Sequence, residues 1–382
     1  MNDINIGLEG VVVGRTAISR VDGSRGRLGY RGHDITELMG RPFVQVAWLL
    51  LFGDLPSPRQ EQQLAHFLLA HRHLNEHEQA LLAALPLAIH PMLVLQSMVP
   101  VLDLSLKADL TPPVGGDDAL HGLIIAARLP SLVAAWFNRQ ADKPWPLRCN
   151  SLDPNRAFLK SLSGREPNTL AVDVFSKTQI LQMEHSYNAG TFAGRVALST
   201  RAPIQSSIAA SIGTLSGSLH GGADQAALEF AAAVGEPTAA ENAVQKVLLE
   251  GGRIMGMGHR EYSTVDPRAT LLKPLARSLC AGDTDSQRLL QTLEAVEAAS
   301  IKALQGRQKN LRANVEFYKG AVFHALGLPS HYFTAVFAMA RVYGYVAHAI
   351  EFRPQARLIR PRAEYCAVED SLGDDRARLG KL

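Results

Sequence analysis

From residue 35 onward, apolar residues recur at the three- and four-residue spacing of α-helices, and Gly, Pro and Asp breaks separate the segments. Residues 7–30 instead combine glycines with short β-prone runs at 11–13 and 18–21 and a turn at 22–24, which predicts a small hairpin ending at 28–30. No segment repeats at a fixed period, so a solenoid is not expected. The pattern predicts a mainly α fold with a small N-terminal β-hairpin. Helices are predicted over 35–39, 44–52, 61–71, 76–90, 92–108, 117–138, 156–163, 169–198, 203–217, 223–234, 238–249, 270–280, 285–305, 315–326 and 330–351.

The bulk composition limits the class of protein. A chain of 382 residues with 47% apolar and 20% charged residues is typical of a globular protein with one large core and a smaller lobe. The net charge of +3 is small and no block of like charge occurs, which favours anionic small ligands over nucleic acid. The three cysteines (Cys149, Cys280 and Cys366) have neither disulfide-framework nor zinc spacing, which indicates a reducing compartment.

Targeting and metal signals are weak. The first ten residues have no basic segment followed by an apolar one, and the apolar stretch 120–137 is interrupted by His121, Arg128 and Pro130. We therefore expect a cytoplasmic protein that does not enter a membrane. His73 and His77 are spaced to share a helical face, but without a third ligand we interpret them as a solvated surface and expect no metal.

Residues 256–268, GMGHREYSTVDPR, form the stretch with the strongest functional signal. Two glycines allow close backbone approach to a ligand, and His259 follows them beside several charged residues. Neighbouring cations push a histidine towards its neutral form, which suits hydrogen bonding to a developing oxyanion or enol. An ordinary glycine-rich turn with a surface histidine would show the same short pattern.

Three further stretches carry chemistry-bearing residues. His185 lies inside a predicted helical run that breaks near residue 190, and His220 stands before two glycines and a predicted helix start, where backbone N–H groups can hold an anion. Glu316 opens an apolar helix, where an acid can also simply interact with the helix dipole. Together, a carboxylate, histidines and arginines suit abstraction of a proton α to a carbonyl followed by carbon–carbon bond formation.

In these stretches the sequence resembles the citrate synthase family over nearly the whole chain. The resemblance implies a two-domain helical fold whose large domain comprises residues 1–222 and 329–382 and whose small domain comprises 223–328, with the active site in the cleft between them. The motifs that carry it are Gly7-Leu8-Glu9-Gly10, 30–35, 184–191, 218–223, 256–268, 314–318, 338–341 and 359–362.

The resemblance also implies roles for individual residues. His220 would stabilise the enol of an acyl-CoA thioester, His259 would polarise the oxaloacetate carbonyl, and Glu316 would occupy the position of the catalytic base. Arg360 would be supplied by the partner subunit, so that a homodimer completes the site, and no metal or cofactor would be required. The residues implied to bind oxaloacetate are His185, Arg268, Arg341 and Arg360. Those implied to bind CoA are Met255, Gly256, Met257, Gly258 and Asn314.

One departure from the family pattern bears on function. The family has Asn-Val-Asp-Phe-Tyr where this chain has Asn314-Val-Glu-Phe-Tyr318, so the carboxylate of Glu316 is displaced by one methylene. A misplacement of about 1 Å can cost on the order of a hundredfold in rate. The alternatives are therefore a repacked synthase acting on acetyl-CoA or propionyl-CoA, one with another acyl-CoA preference, and a low-activity or regulatory paralogue that binds CoA and a dicarboxylate. Lys319 is also unusual, and we expect it to be a solvated helix residue.

Overall fold

A computed structural model describes residues 5–146, 148–305 and 311–364. Three short antiparallel strands, β1 (Ser19–Asp22), β2 (Arg27–Tyr30) and β3 (His33–Asp34), form the N-terminal sheet in the order β1-β2-β3. In the first pair, Ser19 lies opposite Tyr30. The predicted hairpin is confirmed from residue 19 onward, but residues 11–13 are not a strand.

Helices make up most of the remaining described chain, which confirms the mainly α prediction. They are α1 (Ile35–Leu38), α2 (Phe43–Phe52), α3 (Pro58–His71), α4 (Glu76–Ala84), α5 (Pro91–Met98), α6 (Gly116–Gln140), α7 (Pro154–Ser163), α8 (Thr169–Gln182), α9 (Ala189–Ser199), α10 (Ile204–Leu215), α11 (Ala223–Val234), α12 (Ala240–Leu249), α13 (Pro267–Cys280), α14 (Thr284–Gln305), α15 (Val315–Ala325) and α16 (Phe333–Phe352).

Three predicted helices are too long. The segment 169–198 is two helices, because α8 ends at Gln182 and α9 begins only at Ala189, with Ser186 between them at a φ of 53°. A positive φ is incompatible with a continuing right-handed helix. The segments 76–90 and 92–108 are also shortened, and Pro86 and Pro100 lie just beyond the ends of α4 and α5.

Polar caps start the helices that lead into the site. Asn188 accepts from the Thr191 backbone N–H at 3.1 Å and so begins α9. Asn314 accepts from the Glu316 N–H at 2.9 Å and begins α15. Each cap satisfies an N–H that has no partner within the helix, so the first residues of α9 and α15 are held in place.

Helix α16 forms the centre of the core. Its residues from Phe333 to Ile350 are all buried, and it packs against α2, α6, α8, α9 and α10. Both α16 and α6 are long and apolar enough to cross a membrane by composition, but 100% and 78% of their apolar windows are buried inside the fold. Their apolar character is therefore accounted for by packing in the core.

Helices α11 to α15 pack mainly on one another. Helix α15 contacts α11, α13 and α14, while α12 lies against α14. Contacts of α8 with α13 and α15 connect this group to the rest of the chain. The group spans residues 223–325 and lies beside the stretches expected to carry the site.

A buried ion pair links α4 to α6. Arg128 on α6 donates to the Glu78 carboxylate, and both side chains are almost fully buried. Glu78 also accepts at 2.9 Å from the backbone N–H of Asn75 and at 2.9 Å from that of Asp103. Both carboxylate oxygens of Glu78 are therefore engaged by backbone groups of two different segments.

The histidines between α3 and α4 do not form the predicted shared face. Helix α3 ends at His71 and α4 begins at Glu76, so His73 lies in the connection while His77 lies on α4. The ring of His71 is buried, and its Nε2 accepts from the Lys107 N–H at 2.7 Å. Within the described ranges, no group of three or more His, Cys, Asp or Glu side chains is arranged to hold a metal ion.

Candidate active site

The loop that precedes α13 is shaped by its two glycines. Gly256 and Gly258 have φ values of 78° and 87°, which other residues rarely adopt. A Cβ at Gly256 would lie 2.8 Å from the Phe317 ring, and one at Gly258 would lie 2.6 Å from the Leu311 side chain. The glycines therefore allow the loop to pack closely against the start of α15, in addition to any ligand contact.

Asn314 holds this loop from the other side. Its side-chain amide donates to the Gly258 carbonyl oxygen at 2.8 Å, and its backbone N–H donates to the Gly256 oxygen at 2.9 Å. Met257 forms a β-bridge with Ala313. Met255, Met257 and Gly258 are half-buried, so the predicted CoA segment is a partly accessible edge fastened to the residue before α15.

His259 is held as a neutral imidazole. Its Nδ1 accepts from the Glu261 backbone N–H at 3.0 Å, which places the ring proton on Nε2. Burial, reinforced by the charge of Arg268, lowers the pKa of His259 to about 4. Nε2 lies 3.3 Å from Nη2 of Arg268. Since both are then donors, they are arranged to share one acceptor atom of a ligand.

Arg268 is locked by Asp266 at the start of α13. Its Nε and Nη2 donate to the two carboxylate oxygens at 3.0 and 2.9 Å, a bidentate pair that is almost fully buried. Asp266 also accepts from the Val315 backbone N–H at 3.1 Å. Although burial raises the pKa of Asp266, the Arg268 charge and hydrogen bonds outweigh it and keep the pKa below its usual value. One carboxylate thus fixes Arg268 and joins the starts of α13 and α15.

His185 lies in the connection between α8 and α9, beside His259. The two ring centroids are 5.1 Å apart, and Nε2 of His185 lies 3.1 Å from the hydroxyl of Tyr262. Burial, followed by the charge of Arg268, places the pKa of His185 well below its usual value. Two neutral imidazoles therefore face the same buried guanidinium.

His220 lies in the turn between α10 and α11. Its Nε2 is 3.4 Å from the Gly190 N–H and 3.3 Å from Oδ1 of Asn188, so the start of α9 positions the ring. Burial and then the charge of Arg341 lower its pKa. Gly190 is required here because a Cβ would lie 2.5 Å from the hydroxyl of Tyr345.

Arg341 extends from the middle of α16 and is almost fully buried. Its Nε donates to the Gln182 carbonyl oxygen at 2.8 Å, at the end of α8, and its guanidinium lies 4.7 Å from the Phe337 ring centroid. Arg360 behaves differently, because it is exposed and its Nη1 donates to the adjacent Pro361 oxygen at 2.8 Å. The single chain thus assembles His185, Arg268 and Arg341 but leaves Arg360 at the surface.

Glu316 lies in the first turn of α15, and its charge acts on both His220 and His259. Its Oε2 is 2.5 Å from Nζ of Lys319, which is also 3.1 Å from Oδ2 of Asp224. The prediction that Lys319 is solvated is wrong, because its side chain is fully buried. The two carboxylates explain how a lysine tolerates this position, since a buried ammonium requires a counter-charge.

Two polar contacts of the site have weak sequence signals. Tyr262 lies within the 256–268 stretch, but nothing in the pattern distinguishes its contact with His185 from that of any loop tyrosine. Asp224 follows the histidine-glycine turn and has the appearance of an ordinary acid in the first turn of a helix. A buried charge triad is visible only once α11 and α15 are packed together.

The loop of His259 also rests on the N-terminal hairpin. The Gly23 carbonyl oxygen accepts from the Ser263 N–H at 3.1 Å, from Oγ of Ser263 at 3.3 Å and from Oγ1 of Thr264 at 3.4 Å. A Cβ at Gly23 would lie only 1.7 Å from the carbonyl oxygen of Glu261. The hairpin turn therefore supports the loop that carries a site histidine.

A helical fold with histidines, arginines and a carboxylate at its loop ends defines a class that comparison with known proteins identifies. Residues 7–362 match the family described as citrate synthase, C-terminal domain. The chain belongs to the citrate synthase family, which confirms the resemblance seen in its motifs.

Individual relatives carry two different names. The chain is 35% identical to the citrate synthase of Synechocystis sp., over 94% of this chain and 90% of the relative. It is 33% identical to the 2-methylcitrate synthase of Shewanella oneidensis, over 95% of this chain and 94% of the relative.

The fold comparison agrees with the sequence comparison. The citrate synthase of Thermoplasma acidophilum, solved as a ternary complex with carboxymethyl coenzyme A and oxaloacetate, superposes with a TM-score of 0.88. It is 26% identical and covers 98% of this chain and 99% of its own. The predicted citrate synthase-like helical fold is confirmed.

Proposed function

We propose that this protein condenses acetyl-CoA or propionyl-CoA with oxaloacetate, giving citrate or 2-methylcitrate and CoA. The observation that carries the proposal is the convergence of His185, His259 and Arg268 within contact distance, in the field of Glu316. Membership of the citrate synthase family supports the reaction type.

Oxaloacetate would occupy the region of the two facing histidines. Arg268 and Arg341 would neutralise its carboxylates, together with His185 and with Arg360 of the partner subunit. Nε2–H of His259 would donate to the ketone oxygen and polarise the carbonyl carbon for attack. The depressed pKa of His259 supports this role, since only the neutral ring combines an Nε2 donor with an Nδ1 acceptor.

The acyl-CoA would react between Glu316 and His220. Glu316 would remove a proton from the carbon α to the thioester, while His220 would donate a hydrogen bond to the enol oxygen that develops. The enol carbon would then attack the oxaloacetate carbonyl carbon and form the new carbon–carbon bond, and His259 would help to protonate the resulting alkoxide. Hydrolysis of the thioester would release CoA. Neither step changes an oxidation state, so the proposal includes no cofactor, and CoA is a substrate.

The CoA moiety would lie along the edge formed by Met255, Gly256, Met257 and Gly258, next to Asn314. The fastening of this edge to Asn314 supports the proposal, because a rigid edge loses little conformational freedom on binding. Residues 223–328 would act as a small domain that closes on the large domain, 1–222 and 329–382, and excludes water before condensation. A cytoplasmic homodimer is the proposed functional form.

A release assay for free thiol tests this proposal. The protein is mixed with oxaloacetate and, in separate reactions, with acetyl-, propionyl- or butyryl-CoA, and we expect thiol release with at least one of the first two. Acetyl and propionyl groups differ by one methylene, worth about 1–3 kcal/mol of discrimination, so the ratio of their kcat/KM values identifies the acyl group.

The alternatives predict other outcomes. Release only with butyryl-CoA would indicate a different acyl preference. No release with any of the three, combined with retained binding of CoA and oxaloacetate by calorimetry, would favour a binding paralogue.

A further inference from the structure

Lys319 is a fully buried cation next to the proposed base. Its Nζ lies 2.5 Å from Oε2 of Glu316 and 3.1 Å from Oδ2 of Asp224. Glu316 and Lys319 are three residues apart on α15, a spacing that places them as neighbours on a helix surface. Asp224 comes from a different helix, α11, and is also fully buried.

Other charged groups face this triad from each element around it. On α16, Phe337 lies under the ammonium of Lys319, 4.1 Å from the ring centroid, and the same ring also contacts Arg341. From the loops, His220 and His259 feel the charge of Glu316. Burial raises the pKa of Asp224 to about 6 even though Lys319 lowers it. Two carboxylates therefore compete for one ammonium in a poorly hydrated space.

Proton transfer changes the charge balance of the triad. Before transfer, Glu316 and Asp224 carry two negative charges and Lys319 carries one positive charge. When Glu316 takes a proton from the acyl carbon, its carboxylate becomes neutral and the electron pair of the broken C–H bond passes to the enolate. Lys319 then keeps Asp224 as its counter-ion, so no uncompensated ammonium is left buried.

We propose that Lys319 and Asp224 are positioning residues for Glu316: Lys319 draws the longer glutamate side chain back into reacting position, and Asp224 neutralises Lys319 when Glu316 becomes protonated. This inference rests on the proposed role of Glu316 as the base. The geometry also gives a reason for glutamate at this position, because an aspartate would fall short of Lys319 by about one carbon–carbon bond length. The triad is thus a local substitute for the aspartate of the family pattern.

The pH dependence of turnover tests the proposal through the direction of two shifts. Removing the cation in Lys319→Met destabilises ionised Glu316, so the acid limb of kcat/KM for acyl-CoA should move up by about one pH unit. Removing the second anion in Asp224→Asn stabilises ionised Glu316, so the limb should move down by about one pH unit. The KM for oxaloacetate should stay within about twofold in both variants, because neither residue contacts its proposed site.

A matched control comes from another lysine in the same group of helices. Lys273 pairs with Glu297 at 2.7 Å away from the triad, and Lys273→Met should leave the acid limb in place. A merely structural triad would lower stability or turnover without moving the limb in opposite directions. Limbs that stay at the wild-type position, or that both move the same way, would overturn the proposal.

A double-mutant cycle keeps the test informative if a single variant does not fold. Lys319→Met combined with Asp224→Asn removes both buried charges together, which avoids leaving either one unpaired. In wild type, Glu316→Asp should cost on the order of a hundredfold in kcat, whereas in the combined background the cost should be about tenfold smaller. An equal cost in both backgrounds would contradict the inference.

Glu316→Gln separates this proposal from the one on which it rests. Turnover that survives in Glu316→Gln would remove Glu316 as the base and with it the proposed mechanism. Turnover abolished in Glu316→Gln, with wild-type acid limbs in the Lys319 and Asp224 variants, would refute only the positioning role.

Discussion

Two buried ion networks in this molecule differ in how they hold their carboxylates. In the large helical core, both oxygens of Glu78 accept from backbone N–H groups on two segments, in addition to Arg128. At the candidate active site, Glu316 meets Lys319 through one oxygen and keeps 12% of its side chain exposed. A carboxylate held by backbone groups cannot change its charge without disturbing the chain around it. One held by a shared ammonium can, so burial of an ion pair does not by itself indicate function.

The largest expected difference between the two networks is seen by neutralising each carboxylate. Glu316→Gln should lower condensation by about 10²–10⁴-fold, the usual contribution of a general base, with oxaloacetate affinity and stability unchanged. Glu78→Gln should instead lower the free energy of unfolding by about 3 kcal/mol, because it breaks a buried pair, with turnover per folded molecule unchanged. Steady-state kinetics and urea unfolding of both variants measure the two effects. A large kinetic defect in Glu78→Gln would contradict the distinction.

The Asp266–Arg268 pair lies between these extremes, since it fixes helix starts and also faces the proposed oxaloacetate position. Arg268→Lys should raise the KM for oxaloacetate by about a hundredfold, because hydrogen bonds to charged groups contribute about 1.5–3 kcal/mol and lysine cannot reproduce the bidentate fork. Arg277→Lys is the matched control, as Arg277 pairs with Glu294 at an exposed position on the same helix. An unchanged KM in Arg268→Lys would assign the pair to the structural class.

The smallest expected effect concerns acid stability. The pKa of His259 is lowered to about 4, so the unfolded chain binds more protons than the native one between about pH 6.5 and pH 4. The contribution of neutral His259 is therefore present above about pH 6.5 and is lost as the pH falls towards 4. Between about pH 7.5 and pH 6, this should lower the unfolding free energy by about 0.5–1 kcal/mol, and His259→Gln should remove that part of the slope. A slope unchanged in His259→Gln would show that other groups produce it.

Local sequence patterns predicted the helices well where caps and periodicity agree. From residue 203 to the end of α16, each predicted helix is found with both ends within three residues of the prediction. The break between α8 and α9 was missed because it depends on a positive φ at Ser186 rather than on Gly or Pro. That break matters for function, since it places His185 in a connection beside His259.

Site chemistry was predictable where short motifs carry it, and less so where distant segments meet. His185, His259 and Arg268 lie together as expected, whereas the burial of Lys319 contradicts its polar character. Its neutral neighbours and its second carboxylate come from α11 and α16, and helical spacing within α15 carries no information about them. The predictions for Arg360 and for the domain limits remain predictions.

The contact between the hairpin turn and the His259 loop has a consequence for how fast the site can exchange its contents. Its three hydrogen bonds all end on one carbonyl oxygen, that of Gly23. A water molecule can replace each donor as the loop lifts, so these bonds add only a small barrier to separation. Such a contact behaves as a seal that water can loosen: it orders the loop when the site is closed without slowing the departure of product.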